Sequence, residues 1–261
     1  MTLDLNKLPR ILPQGVTRSK VTNRYALLTP DTFVPSLLPM PQWEKTRGVI
    51  QISSAMGAGF LQYEAHLTRE SIGHPAAAHV ERFVYVLEGK LLIPVKGPER
   101  GHYFISAGGF AYLPPGLEYK FHTKTRARVL VIEKHYVRMP GTNTPGFRIA
   151  HESDFKPSAF LGDDALQLKL LLADVPAYDM AVNIFQYAPG GTLPQVEIHV
   201  MEHGLMMLEG AGIYRLGEEW FPVQAGDVIW MAPYCEQWFV AMGKRPARYI
   251  YYKDVNRNAL G

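Results

Sequence analysis

The chain has one cysteine, Cys235, among 261 residues. That excludes an internal disulfide and agrees with a reducing compartment. No apolar run reaches the roughly 18 residues that a membrane-crossing helix needs, and the opening MTLDLNKLPR lacks a signal-peptide pattern. A cytoplasmic protein is therefore expected, with no membrane partner. Charge of one sign is also lacking. The net +3 comes without a Lys/Arg block, so the charges read as a solvated surface and nucleic acid is not an expected partner. What is abundant is punctuation. The 20 prolines and 23 glycines lie among short apolar runs, the pattern of a turn-rich all-β protein. With 47% hydrophobic residues, the chain has enough for a core, as one large or two modest domains.

The stretch Gly191–Gly210, GTLPQVEIHVMEHGLMMLEG, carries Glu197, His199 and His203 at metal-ligand spacing. Val196–Val200 alternates apolar and polar residues, which predicts a strand with Glu197 and His199 on one face. A straight strand would carry His203 roughly 13 Å beyond His199, at about 3.3 Å per residue. One shared ion therefore requires the chain to bend near Met201–Glu202, or two strands to meet in a barrel. Gln237 would join as a fourth ligand from another strand. Two imidazoles, a carboxylate and an amide oxygen, without thiolate, favour Mn²⁺, Fe²⁺, Co²⁺ or Ni²⁺ with open positions, and zinc also fits on binding strength. Taken singly, each of these residues reads as a polar group on a sheet surface; the complete spacing reverses that reading.

The chain also repeats itself. FVYVLEG at Phe83–Gly89 parallels LMMLEG at Leu205–Gly210, and GGFAYLPPG at Gly108–Gly116 parallels GDVIWMAPY at Gly226–Tyr234. Expected strands include Lys90–Val95, Leu117–His122 and Arg128–Glu133 in the first unit. Those of the second include Met180–Tyr187, Gly212–Leu216, Asp227–Met231 and Arg248–Tyr252. TNTPGFRIAHES reads as a loop, giving units 1–148 and 149–261. In the first unit Ala76, Ala78, Arg82 and Tyr119 take the ligand positions, while His79 and Glu81 are out of register by one, on the opposite face. One metal per chain is expected, in the second unit.

In the last strand, parity puts Tyr249, Tyr251 and Lys253 on one face. From spacing alone Lys253 reads as a surface lysine at a strand end; facing inward, its ammonium could bind a carboxylate or move a proton. Trp220, Trp230 and Trp238 suit a pocket wall or the core equally. Cys235 reads as a packed small residue near the site.

The glycines and ligand intervals of the second unit, from Gly191 to Gly210 and from Gly226 onward, resemble the two cupin signatures, with the Glu and one His exchanged and Gln237 in place of the last His. That resemblance implies an all-β bicupin, two tandem double-stranded β-helix (jelly-roll) barrels. More specifically, NRYALLTPD, YVLEG, GGFAYLPPG, FQYAPGG, E-x-H-x3-H and YIYYKDVNR resemble the (S)-ureidoglycine aminohydrolase family over nearly the whole chain. The resemblance implies a hydrolase of purine and allantoin breakdown that converts (S)-ureidoglycine to (S)-ureidoglycolate and ammonia. It implies Mn²⁺ held by Glu197, His199, His203 and Gln237. It further implies substrate contact by Glu197, Gln237, Tyr249 and Lys253, with Lys253 and Glu197 catalytic. A homo-oligomer follows by analogy. Two other classes compete: a cupin oxygenase or isomerase, usually served by three His and one Glu, and a ureide-binding bicupin without catalysis.

Overall fold

The computed structural model describes residues 17–257; the MTLDLNKLPR segment read above lies outside them. Among the described residues there is no α-helix, only strands and short 3-10 turns, and no helix long and apolar enough to cross a membrane.

Two large antiparallel sheets carry the fold. The first runs Arg148–His151, Gly109–Leu113, Val80–Val95, Arg126–His135, Leu61–Thr68, Arg47–Ile52 and Ser36–Leu37, with Gly101–Ser106 beside Val80–Val95. The second runs Lys20–Val21, Tyr25–Leu28, Val228–Met231, His203–Glu209, Ala247–Asp254, Met180–Tyr187, Asp163–Leu170 and Ser158–Phe160. A smaller sheet, Glu219–Gln224, Ala211–Leu216 and Gln237–Met242, faces the second across the barrel.

The central strands are apolar at nearly every position because both of their faces are buried. In Val80–Val95, Val84 and Val86 enter the core of the first barrel, whereas Phe83 and Tyr85 enter a core shared between the barrels. In Ala247–Asp254, Tyr249 and Tyr251 point into the second barrel, and Ile250 and Tyr252 into the shared core. The run YIYY, which lacks polar alternation, is thus a strand between two apolar layers.

The repeat is structural as well as sequential. Gly89 and Gly210 both adopt positive φ, at 82° and 76°, and Gly108 and Gly226 do so at 84° and 92°. An L side chain is strained there, so the same turns need glycine in both units.

Three expectations are corrected. Val196–Val200 is not a strand: Glu197 makes one isolated bridge to Gln237, and the segment is otherwise an irregular arm. Leu117–His122 is likewise held by isolated bridges at Tyr119, Phe121 and His122. The loop expected at 142–153 contains the strand Arg148–His151, whose Ala150 is in register with Phe110. The expected division between 148 and 149 falls inside that strand. Conversely, Tyr25–Leu28 pairs with Val228–Met231, so the early chain lies on the second sheet.

Candidate active site

A cavity of about 270 Å³ opens inside the second barrel, lined by Glu197, His199, His203, Gln237, Tyr249 and Lys253 among others. All six residues singled out in the sequence reach this one cavity. The arm at 196–200 positions the first two. Glu197 and Gln237 exchange both backbone hydrogen bonds, at 2.9 and 3.0 Å, and the amide of Tyr234 donates to the carbonyl of His199 at 2.8 Å. Val196 and Ile198 are left exposed, so Glu197 and His199 share the inward side as their parity requires.

The chain then turns at Val200, one residue before the bend that a shared ion demanded. Glu202 anchors this turn. Its backbone amide donates to Asp254 Oδ1 at 2.6 Å. Its carboxylate accepts from Gly59 N at 2.8 Å and from Trp230 Nε1 at 3.2 Å. His203 therefore starts its strand with its ring turned back toward His199.

The convergence is close. His199 Nε2 lies 3.3 Å from His203 Nε2 and 3.1 Å from the Gln237 side-chain amide, and 3.9 Å from Glu197 Oε2. Among the described residues, no three His, Cys, Asp or Glu side chains stand close enough together to hold a metal ion by themselves. His199 Nδ1–H donates to the Met201 carbonyl at 3.2 Å, which leaves its Nε2 lone pair facing the cavity. The Tyr214 hydroxyl donates to Gln237 Oε1 at 3.2 Å. Turning that amide over would make the hydroxyl an acceptor and present the oxygen to the cavity. His203 Nδ1 is buried without a partner, and Tyr251 packs edge-on against the ring at 5.8 Å.

These donors fit a metal ion. Adjacent ligands about 2.1–2.2 Å from a shared ion stand roughly 3.0–3.1 Å apart, close to the His199–His203 and His199–Gln237 separations, whereas Glu197 at 3.9 Å would have to draw closer. Electrostatics favours the ligand forms of both imidazoles. Burial holds the His203 pKa well below the usual value, with His199 and Lys253 adding to it, and burial likewise lowers that of His199. Neutral imidazole is the form that coordinates. Burial raises the pKa of Glu197 against the opposing charge of Lys253. The half-buried Lys253 lines the cavity, unlike the surface lysine that spacing alone suggested. Tyr249 is fully enclosed and shares a hydrogen bond of 2.7 Å with the Tyr187 hydroxyl.

The tryptophans do not wall this cavity. Trp230 is in the shared core, while Trp238 donates to the Leu193 carbonyl at 2.8 Å and meets the exposed Trp220 edge-on. Cys235 is buried in the barrel core, and burial pushes its thiol pKa up, which suits packing and not nucleophilic attack. Sequence reasoning missed Glu202, Asp254, Tyr214 and Asn183. For Asn183 a signal existed: it is the one inward-facing polar side chain in MAVNIFQY.

A larger cleft, about 620 Å³, borders both barrels. Most of its charged groups are already paired: Arg248 with Glu152 and Glu209, at 2.7 and 2.8 Å, and Arg128 with Glu64 at 2.8 Å. The small cavity is lined instead by Glu197, His199, His203, Gln237 and Lys253.

Two barrels with repeated turns, and an imidazole-rich pocket inside one of them, define a bicupin. A family model described as the cupin domain matches residues 183–252. The chain is 37% identical to the (S)-ureidoglycine aminohydrolase of Arabidopsis thaliana, over 94% of this chain and 80% of that protein. It is 31% identical to the (S)-ureidoglycine aminohydrolase of Escherichia coli K12, over 90% of this chain and 89% of that protein. In structure it resembles a putative glyoxylate-induced protein from Pseudomonas aeruginosa, with TM-score 0.83, 32% identity, and coverage of 95% and 94% of the two chains. The chain belongs to the (S)-ureidoglycine aminohydrolase family.

Proposed function

We propose that this protein hydrolyses (S)-ureidoglycine to (S)-ureidoglycolate and ammonia in the cavity of its second barrel. The observation that carries the reading is the convergence of Glu197, His199, His203, Gln237, Tyr249 and Lys253 on one cavity, in a chain that aligns over 90% or more of its length with relatives named for that activity. Glu197, His199, His203 and Gln237 would hold the metal, and the mixed nitrogen and oxygen set without thiolate suits Mn²⁺. When bound, the ion supplies Lewis-acid polarisation and orientation of the substrate.

The side chains supply the rest. The Lys253 ammonium binds the substrate carboxylate or moves the proton that the departing amine needs. Glu197, beside that ammonium, accepts a hydrogen bond from the amine. The Tyr249 hydroxyl, held by Tyr187, fixes the substrate's orientation. The C–N bond to the amine breaks, ammonia leaves with a proton from Lys253, and water adds its oxygen to the same carbon on one face and returns a proton to Lys253. The ureido nitrogen stabilises the electron-poor carbon in between.

A two-unit organisation divided near 148–149 belongs to the same reading, with the early strand Tyr25–Leu28 added to the second sheet and a first unit that serves packing and binds no metal. So do a cytoplasmic location, supported by the single cysteine, and homo-oligomeric assembly, supported by analogy alone. The test is ammonia release from freshly generated (S)-ureidoglycine by Mn²⁺-reconstituted protein, with His199→Ala as control. Metal-dependent release above the spontaneous rate supports the reading. No release from metal-loaded protein contradicts it.

A further inference from the structure

Asn183 sits in the second barrel in a state that packing does not explain. Its strand, Met180–Tyr187, runs against Ala247–Asp254, which places Asn183 opposite Tyr251 and Ala181 opposite Lys253. The side chain is only 2% exposed, and it lines the cavity. Its Nδ2 donates to the Tyr251 hydroxyl at 3.1 Å, but its Oδ1 is buried with no hydrogen-bond partner. Buried amide oxygens are almost always paired, and one left open beside a ligand cavity is an acceptor kept for the ligand.

The first barrel supplies the control. Arg82 lies opposite Glu133 there as His203 lies opposite Lys253 in the second barrel. Two residues earlier on the same strands, Val131 corresponds to Tyr251, and its neighbour Tyr63 corresponds to Asn183. Tyr63 is saturated: its hydroxyl donates to Glu133 Oε1 at 2.8 Å and accepts from Trp43 Nε1 at 2.9 Å. The equivalent position is closed in the filled barrel and open in the barrel with a cavity.

We infer that Asn183 is the residue that selects the ureido group, its Oδ1 accepting a hydrogen bond from the terminal ureido NH₂. This rests on the function proposed above and deepens it. The metal set, Lys253 and Tyr249 would grip the amine and carboxylate end, which many amino acid derivatives share. Asn183 would read the far end, where a carbamoyl group differs from an acyl group of the same shape. A site built around such an acceptor rejects an isostere that lacks the donor.

The test compares two stable ligands, N-carbamoylglycine and N-acetylglycine, which differ by NH₂ against CH₃. Their dissociation constants are measured by calorimetry on the Mn²⁺-loaded full chain, for wild type, Asn183→Leu and Asn183→Ala. Wild type should bind the carbamoyl compound about tenfold or more tightly, the worth of one buried hydrogen bond. Both variants should bring the ratio to near one. Two variants are used because Asn183→Leu preserves shape and Asn183→Ala relieves any crowding; a thermal melt confirms that each is folded. The inference is overturned if wild type does not discriminate, if neither ligand binds it, or if a folded variant keeps the tenfold ratio. Ammonia release is measured on the same samples. Loss of that activity in wild type with the binding ratio intact would refute the proposed reaction and leave the role of Asn183 standing.

Discussion

At equivalent points of the two barrels stand an arginine and a histidine. Arg82 faces Glu133 in the first, and His203 faces Lys253 in the second. Arg82 is 1% exposed. Its guanidinium meets Glu133 at 2.5 Å, and donates to the His74 carbonyl and the Tyr119 hydroxyl at 2.8 Å each. It also lies 5.5–5.7 Å from the ring centres of Trp43, Tyr119 and Phe121. The first barrel thus carries its cation on its own chain, neutralised by a carboxylate and enclosed by aromatic faces. In the second barrel a neutral histidine faces the cationic Lys253, and Glu197, His199 and Gln237 line the cavity beside them. One scaffold is finished by a covalently attached positive charge; under the function proposed above, the other would hold an exchangeable one.

The largest effect expected from breaking this contrast is at the exchangeable site. His203→Ala should abolish Mn²⁺ retention and cut ammonia release by about 10³-fold or more, since a metal contributes several kcal/mol of transition-state stabilisation. Lys253→Ala should keep the metal yet lose about 10²–10⁴-fold, the range for a positioned proton-transfer group. Metal analysis beside rate measurement separates the two. In the first barrel, Arg82→Met should leave metal content unchanged and destabilise the fold by about 3–5 kcal/mol, because the partly buried Glu133 loses its counter-charge and keeps only the Tyr63 hydroxyl. Adding Glu133→Leu should restore part of that stability in denaturant titrations.

A smaller effect is expected at Glu202, which ties the turn before His203 to Gly59 of the first unit. Glu202→Ala should cost about 1–3 kcal/mol by leaving the Gly59 amide and Trp230 Nε1 unpaired. It should also weaken Mn²⁺ binding, measured by titration. The smallest effect concerns Glu81, the near miss of the first unit. It points away from Arg82 into the shared core, where Asp179, Tyr112 and Lys134 face it. Burial first, and then Asp179, push its pKa up to about 9. The folded state thus binds this proton more tightly than the unfolded one. Its contribution is complete below about pH 4.5, declines as pH rises, and is lost by the folded pKa. Thermal melts of wild type should therefore show falling stability between pH 6 and 9, and Glu81→Gln should flatten that fall.

Much of the site could be read from the chain because its information is local. The spacing of Glu197, His199 and His203 forces either a bend or two strands, and the chain turns at Val200. The paired turns needed glycine at Gly89 and Gly210, and both have positive φ. The errors came from long-range pairing. Val196–Val200 has strand alternation, but its only bridge is Glu197 to Gln237, so the pattern marks sidedness without a ladder. Tyr25–Leu28 carries no sign that its partner lies some two hundred residues away. Arg82 was visible at a ligand position, yet Glu133 opposite it was not, since cross-strand register is invisible in a single strand's sequence.

The most direct test is Mn²⁺ stoichiometry by equilibrium titration of the full chain, in wild type, His203→Ala and Arg82→Ala. One ion per chain is predicted for wild type, none for His203→Ala, and one for any folded Arg82→Ala protein. Two ions per wild-type chain, or binding that survives His203→Ala, would contradict the assignment of the metal to the second barrel.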